Sequence, residues 1–294
     1  MAESPTLSPG PAVAVLLGLV WLQPLPLGAQ SALELPSPKH ELSPYVAQRL
    51  TPRDRELFGK LVNLELESVW ALVSAEGYPN CFINELTALK PNHRMVGRAR
   101  TIRYLPNRRD LRDKLYAAGP QLNYKASEDA EPGDVLVFEA GGETRSAVTG
   151  NVTATRLLYK GGAGMVADGA FRDVPALANM PLQIYMRRGQ AAGVSPIQMS
   201  VDYQVPVRIG GVTVVPGDIL FGESHGILVI PAAIVGEVVE KGLGTVEREE
   251  FQRRMLLDGG SLYDIYPKLS EAYQKKFEEY KKARRTAQPK GATP

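Results

Sequence analysis

Gly161-Gly-Ala-Gly-Met-Val-Ala-Asp-Gly-Ala-Phe-Arg-Asp173 is the most informative stretch of this chain. The glycines end a helix, Met165 to Ala167 form a short buried strand, and Asp168-Gly169 starts a turn that presents Arg172 and Asp173 together. Arg172 offers a planar, permanently charged fork to an oxyanion. Asp173 offers a hard carboxylate oxygen of the kind that holds Mg²⁺ or Mn²⁺. A cation clamp beside a metal ligand suits a small oxo-acid. On spacing alone, Arg172 also reads as half of a surface ion pair, and Asp173 as its partner or as a helix N-cap.

The pattern continues on both sides. Upstream, Asn151 to Gly161 has helical spacing with Val152, Ala154, Leu157 and Leu158 inward. Before it, Gly141-Gly142 opens a loop that closes at Gly150, and Pro132-Gly-Asp134 turns into the apolar strand Val135 to Glu139. Val96 to Tyr104 alternates as a strand, and Leu111 to Ala118 reads as a short helix. Pro52 to Ser74 reads as one amphipathic helix, with Thr51 as cap and Pro52 at its first position. Downstream, Val205 to Ile209 and Val212 to Val215 flank Gly210-Gly211, a two-residue hairpin signal. A second Pro-Gly-Asp turn at Pro216 to Asp218 precedes strand Ile219 to Gly222, followed by strand Ile227 to Ile230. The repeated turn marks either an internal duplication or two independent uses of favourable turn chemistry. Ala232 to Lys241 and Glu247 to Leu257 read as separate helices.

The 294 residues carry a formal net charge of +2, which gives no electrostatic case for nucleic acid. Lysines and arginines cluster at 275–285, but Glu271, Glu278 and Glu279 interleave with them, as on a solvated helix face. The single cysteine, Cys81, permits no intrachain disulfide and reads as a buried thiol. From Ser4 to Leu33 there is no charged side chain, and Ala12 to Leu22 is an apolar block of signal-peptide length. Pro24, Pro26, Gly28, Ala29 and Ser31 follow. This favours an export signal over a disordered leader or a retained anchor, although the region before the block has Glu3 and no basic residue.

Read together, these pieces resemble the RraA-like family, which includes the class II 4-hydroxy-4-methyl-2-oxoglutarate/4-carboxy-4-hydroxy-2-oxoadipate aldolases. The resemblance runs from about Val96 to Lys241, more weakly to Tyr266. It rests on Val96-Gly-Arg-Ala-Arg-Thr101, Pro132 to Val137, Gly141-Gly142 with Arg145-Ser-Ala147, Gly150, Gly164 to Gly169 with Arg172-Asp173, Val215 to Asp218, and His225 to Pro231. It implies an α/β fold, a ββα-swivelling-type domain with a central barrel-like mixed sheet packed by helices. It also implies assembly as a homotrimer or hexamer, with the active site between subunits. The chain then divides into a leader (1–31), an arm (32–50), the RraA-like domain (51–245) and a C-terminal helical extension and tail (246–294).

The family's lyases cleave a carbon–carbon bond beside a 2-oxo group and release pyruvate. By resemblance, Asp173 helps to hold the divalent cation, Arg172 contacts the substrate oxygens, and Gly150-Asn151-Val152-Thr153 receive the substrate carboxylate. A helix N-terminus supplies unpaired N–H groups for that task. Ordinary capping by Thr149 or Asn151 is the competing reading of those four residues. Asp168 reads as a turn residue, His225 as a loop histidine, and Arg145 as either a second carboxylate binder or a surface charge. Two acidic positions of the family's lyases are neutral here, Asn151 and Ala176. Asparagine cannot take up a proton or supply charge. Three functions follow as expectations: a metal-dependent lyase on a 2-oxo acid, an interaction protein of the ribonuclease E inhibitor type, or an oxo-acid binding protein without turnover.

Overall fold

The computed structural model describes residues 39–194 and 197–287. The expected leader, 1–31, lies outside the described residues. The arm is anchored from its first helix: α1 (Pro44–Ala47) buries Val46, and Leu50 behind it is also in the core. In α2 (Pro52–Leu61), Thr51 Oγ1 accepts from the Asp54 N–H at 3.1 Å, and Pro52 opens the helix. The single helix expected to Ser74 is instead two, with α3 (Leu66–Ala75) restarting after a break. Arg94 explains the break. Its guanidinium donates to the carbonyls of Val62 at 3.0 Å and Leu64 at 2.7 Å, which satisfies backbone groups that a continuous helix would have used.

Two short strands, β1 (Phe82–Ile83) and β2 (Thr87–Ala88), precede the long β3 (Met95–Pro106). Helices α4 (Arg109–Ala118) and α5 (Leu122–Glu128) lead into β4 (Asp134–Glu139). Then come β5 (Ala147–Thr149), α6 (Asn151–Tyr159), β6 (Gly164–Phe171), α7 (Val174–Ala178), β7 (Gln183–Gly189) and β8 (Gln198–Tyr203). The hairpin of β9 (Val207–Ile209) and β10 (Val212–Val214) turns at Gly210 and Gly211, both at positive φ, as the sequence implies. Strands β11 (Ile219–Glu223) and β12 (Gly226–Ile230) are followed by α8 (Val235–Leu257), α9 (Leu262–Ile265) and α10 (Glu271–Ala287). The two helices expected at 232–257 are therefore one. Gly242, in the interval between the two expected helices, lies within α8, and a Cβ there would sit 2.5 Å from Leu64 Cδ1. It marks a close helix crossing rather than an end.

The central sheet is mixed, in the order β1-β12-β11-β3-β4-β6-β7-β2, with β8 added to β3 and β5 to β6. β3, β4, β6 and β7 run parallel. Successive residues of β4 feed two cores. Val135 and Val137 pack with residues of α2, α3 and α8, whereas Leu136 and Phe138 pack with residues of α5, α6 and α7. The fold is thus α/β, a large mixed sheet with helices on both faces. The two Pro-Gly-Asp turns do the same local work on either side of β3. Asp134 Oδ2 accepts from the Glu131 N–H at 2.9 Å, and Asp218 Oδ2 from the Val215 N–H at 2.8 Å. The strands that follow run parallel and antiparallel to β3, respectively. No helix among the described residues is long and apolar enough to cross a membrane.

Asp168-Gly169 is not a turn. β6 continues through it to Phe171, and every one of its residues is buried. The pairing with β7 shifts between Ala167 and Ala170, so the dipeptide sits in a β-bulge. The Asp168 carboxylate is paired with Arg187 and accepts from the Gly210 N–H at 3.4 Å. An Asp-Gly pair that favours turns also favours a bulge, and the apolar Ala170-Phe171 after it keeps the strand in the core.

Candidate active site

Arg172 and Asp173 follow directly from β6, at the end where the parallel strands finish, and the backbone there is firmly held. Phe171 packs edge-on against Phe138 at 5.6 Å, and its carbonyl accepts from the Gln190 N–H at 2.9 Å. The Arg172 N–H donates to the Thr149 carbonyl at 3.0 Å. Asp173 lies in the left-handed region, φ 59°, ψ 33°. Aspartate is among the few residues that tolerate this conformation, and it turns the chain sharply into α7.

By its backbone Asp173 is the N-cap of α7, yet its side chain makes no bond to that helix. Asp173 Oδ2 accepts instead from the Asn151 N–H at 3.1 Å, the first amide of α6. Arg172 Nε stands 3.5 Å from the same oxygen. The capping and ion-pair readings are therefore both present, with the cap on a different helix from the one the sequence suggests. The N-cap of α6 is Gly150, which has no side chain to offer, and the first amide is capped by Asp173 rather than by the expected Thr149 or Asn151. Past Asn151, the amides of Val152 and Thr153 open the helix without intrahelical acceptors. Gly150 makes the convergence sterically feasible. A Cβ there would lie 2.3 Å from Asp173 Oδ2 and 2.6 Å from Arg172 Cγ.

Of the six expected site residues, Gly150, Asn151, Arg172 and Asp173 therefore meet at one point; Val152 and Thr153 follow in the first turn of α6, and Thr153 is buried. The Arg172 side chain is 48% exposed, that of Asp173 35%, and Val152 74%. Among the described residues nothing donates to Asp173 Oδ1. One hard oxygen thus remains available to a cation, with the amides of Val152 and Thr153 and the Arg172 guanidinium around it to receive an anion.

Other candidates lie elsewhere. Arg145 is held by Glu143 on an exposed loop, and that bond pulls the Glu143 carboxyl down to about 2. His225 lies in the β11–β12 turn, at the opposite end of the sheet. Gly222 pairs with Met95 at the start of β3, whereas Arg172 follows the finish of parallel β6. Its ring nitrogens face Glu67 at 3.3 Å and Glu223 at 3.5 Å, and the three side chains offer metal-compatible atoms within 4.8 Å of one another. Burial pushes the Glu223 carboxyl up, against the pull of Arg94 and His225. Sequence reasoning found His225 but not its partner Glu67, which α3 brings from far away in the chain. Cys81 is buried, and burial pushes its thiol up.

The profile of the RraA-like family (Aldolase/RraA) matches residues 72–229. A Halalkalibacterium halodurans protein bearing the name "Putative 4-hydroxy-4-methyl-2-oxoglutarate aldolase" is 31% identical over 179 residues, covering 60% of this chain and 79% of that protein. An Ectopseudomonas mendocina protein of the same name is 37% identical over 106 residues, 35% of this chain and 62% of its own length. Among solved structures, Streptomyces coelicolor RraAS2, described as an unusual member of the RNase ES inhibitor RraA protein family, is similar. It aligns with a TM-score of 0.61 at 29% identity, covering 70% of this chain and 98% of that one.

Proposed function

The chain belongs to the RraA-like family, and from that membership we propose that it is a divalent-metal-dependent carbon–carbon lyase acting on a 2-oxo acid. The substrates we favour are 4-hydroxy-4-methyl-2-oxoglutarate, by aldol cleavage, and oxaloacetate, by decarboxylation; both would release pyruvate. The observation that carries the reading is the meeting of Arg172, Asp173 and the first amides of α6 around Gly150. The Val152 and Thr153 amides receive the substrate carboxylate. Arg172 donates to the 2-oxo oxygen as bond cleavage leaves negative charge on it. Asp173, through Oδ1, would hold Mg²⁺ or Mn²⁺, which would supply Lewis-acid polarisation to a bound 2-oxo group. Neither Asn151 nor Ala176 can supply a proton, so the product carbon takes its proton from solvent.

The assembly we propose is a homotrimer or hexamer, in which the exposed face of α6 around Val152 lies at a subunit boundary. The apolar leader supports export of the chain. A second reading, oxo-acid binding without turnover, is favoured by one observation. The site offers a single carboxylate, and one of its oxygens is already engaged by Asn151. The experiment that separates them measures pyruvate release from both substrates across a metal series, with Asp173→Ala and Asn151→Ala beside the wild type. Turnover that EDTA removes, and a metal affinity that falls far more in Asp173→Ala, support the lyase. Pyruvate binding with no product supports the second reading.

A further inference from the structure

We propose that Glu67, Glu223 and His225 bind a divalent transition-metal cation of the zinc class, at the end of the sheet remote from Arg172 and Asp173. Each of the three offers a ligand atom, and those atoms lie within 4.8 Å of one another. His225 Nε2 is 3.3 Å from Glu67 Oε1, and Nδ1 is 3.5 Å from Glu223 Oε1. Donors around a tetrahedral zinc ion stand about 3.4 Å apart, given bonds of about 2.1 Å. The Glu67 side chain is 71% exposed, so it is free to swing and close the triangle. Three parts of the fold supply the donors. Glu67 lies in the first turn of α3, Glu223 ends β11, and His225 sits in the two-residue turn to β12, where Glu223 pairs with Gly226. The His225 ring leans on Phe82, with centroids 5.9 Å apart.

The local charge asks for a dication. Arg94 stands 2.9 Å from Glu223 and 3.4 Å from Glu65. Glu65, Glu67 and Glu223 thus set three carboxylates against one guanidinium, which leaves two negative charges beside a neutral imidazole. Glu223 is also short of bonding. Its side chain is 13% exposed, and Arg94 Nε, although 2.9 Å away, makes no hydrogen bond. A cation in contact with the Glu223 carboxylate supplies what the protein does not. Glu223 and Ser224 border an open surface cavity of about 310 Å³, which gives an ion access. One imidazole nitrogen with two carboxylates suits Zn²⁺, whereas Mg²⁺ prefers oxygen alone. The Asp173 site offers only oxygen, so the two sites select different metals. Three protein ligands leave at least one position to water, and the ion ties α3 to the β11–β12 hairpin.

Titration of the full chain with Zn²⁺, followed by calorimetry and by imidazole NMR, tests this. The chain has three histidines, His40, His93 and His225, so the signals are few. Zn²⁺ is expected to bind and to shift the imidazole signals that His225→Ala removes, while Mg²⁺ at the same concentration leaves them in place. His225→Ala and Glu67→Gln both alter exposed side chains. Each is expected to weaken this binding at least about tenfold, the least that losing even an outer partner of a metal costs. Asp173→Ala is expected to leave it intact. The ion holds α3 to the hairpin only in the folded chain, so Zn²⁺ is expected to raise the urea midpoint of the wild type and not that of His225→Ala. Absence of Zn²⁺ binding, unshifted His225 signals, equal affinity in the wild type and His225→Ala, or loss of this binding in Asp173→Ala would overturn the proposal.

Discussion

Gly150 sets how closely the Arg172 guanidinium and the Asp173 carboxylate approach the first turn of α6. Its φ is ordinary extended backbone, so the requirement for glycine is one of space alone. Gly150→Ala should push the Asp173 carboxylate off the Asn151 amide and displace Arg172 from its Cγ outward, at a folding cost of about 1–2 kcal/mol. We expect a fall in kcat/KM of about 100-fold in the folded protein, the scale of a misplaced catalytic group. Asp173 combines a charge with a left-handed backbone. Asp173→Asn keeps a residue that tolerates that backbone and loses the charge. It should fold as well as the wild type but bind Mn²⁺ weakly, as metal titration would read out. Asp173→Ala should add a folding cost of about 1 kcal/mol in chemical denaturation. At this scale the sequence was legible where chemistry is local: an arginine fork beside a carboxylate, a glycine before a helix. It was not legible where the partner is distant. The bond from Asn151 to Asp173 spans 22 positions, and the salt bridge that turns Asp168 into a buried strand residue comes from Arg187.

Turns and breaks decide the behaviour of the elements. Asp218 closes the Pro-Gly-Asp turn before β11, and burial pushes its carboxyl above the ordinary value. A folded-state pKa above the unfolded one means that the folded chain holds the proton more tightly. The associated stability is present below the ordinary carboxylate range and is lost as pH rises through the folded value. Asp218→Asn should remove that loss. Urea unfolding from about pH 4 upward should show the wild type losing ground relative to the variant. Parallel pH profiles would rule this out. Arg94 is the second lever. It bridges the α2–α3 break, and its Nε pairs with the largely buried Glu223 at 2.9 Å. Arg94→Met leaves those carbonyls unpaired and Glu223 with His225 as its remaining cationic neighbour, and a loss of about 3 kcal/mol is expected. Hydrophobic spacing could not reveal this break, because Leu57 to Val73 keep an unbroken apolar face across it. The reverse difference at 242–246, where two helices were expected and α8 runs through, includes Gly242, a glycine placed by a helix crossing.

The molecule as a whole is a sheet between two cores, and the candidate site hangs from one strand of it. The alternation in β3, the apolar run of β4 and the paired glycines of the β9–β10 hairpin made individual strands legible, and the family resemblance implied the α/β architecture that they fit. The strand order was not legible, since it depends on which distant edges pair. Phe138 joins the core to the site through its edge-on contact with Phe171, one residue before Arg172. Phe138→Ala is expected to cost about 3–5 kcal/mol of global stability, measured by denaturant titration. The central claim, that Arg172 and Asp173 act together on an oxo-acid at the start of α6, is tested most directly by oxaloacetate decarboxylation with Mn²⁺. Wild type and Arg172→Ala would be compared at equal enzyme concentration. Cooperation of the two side chains predicts pyruvate release by the wild type well above the metal-only background, and release at that background in Arg172→Ala. Equal rates in the two proteins would contradict it.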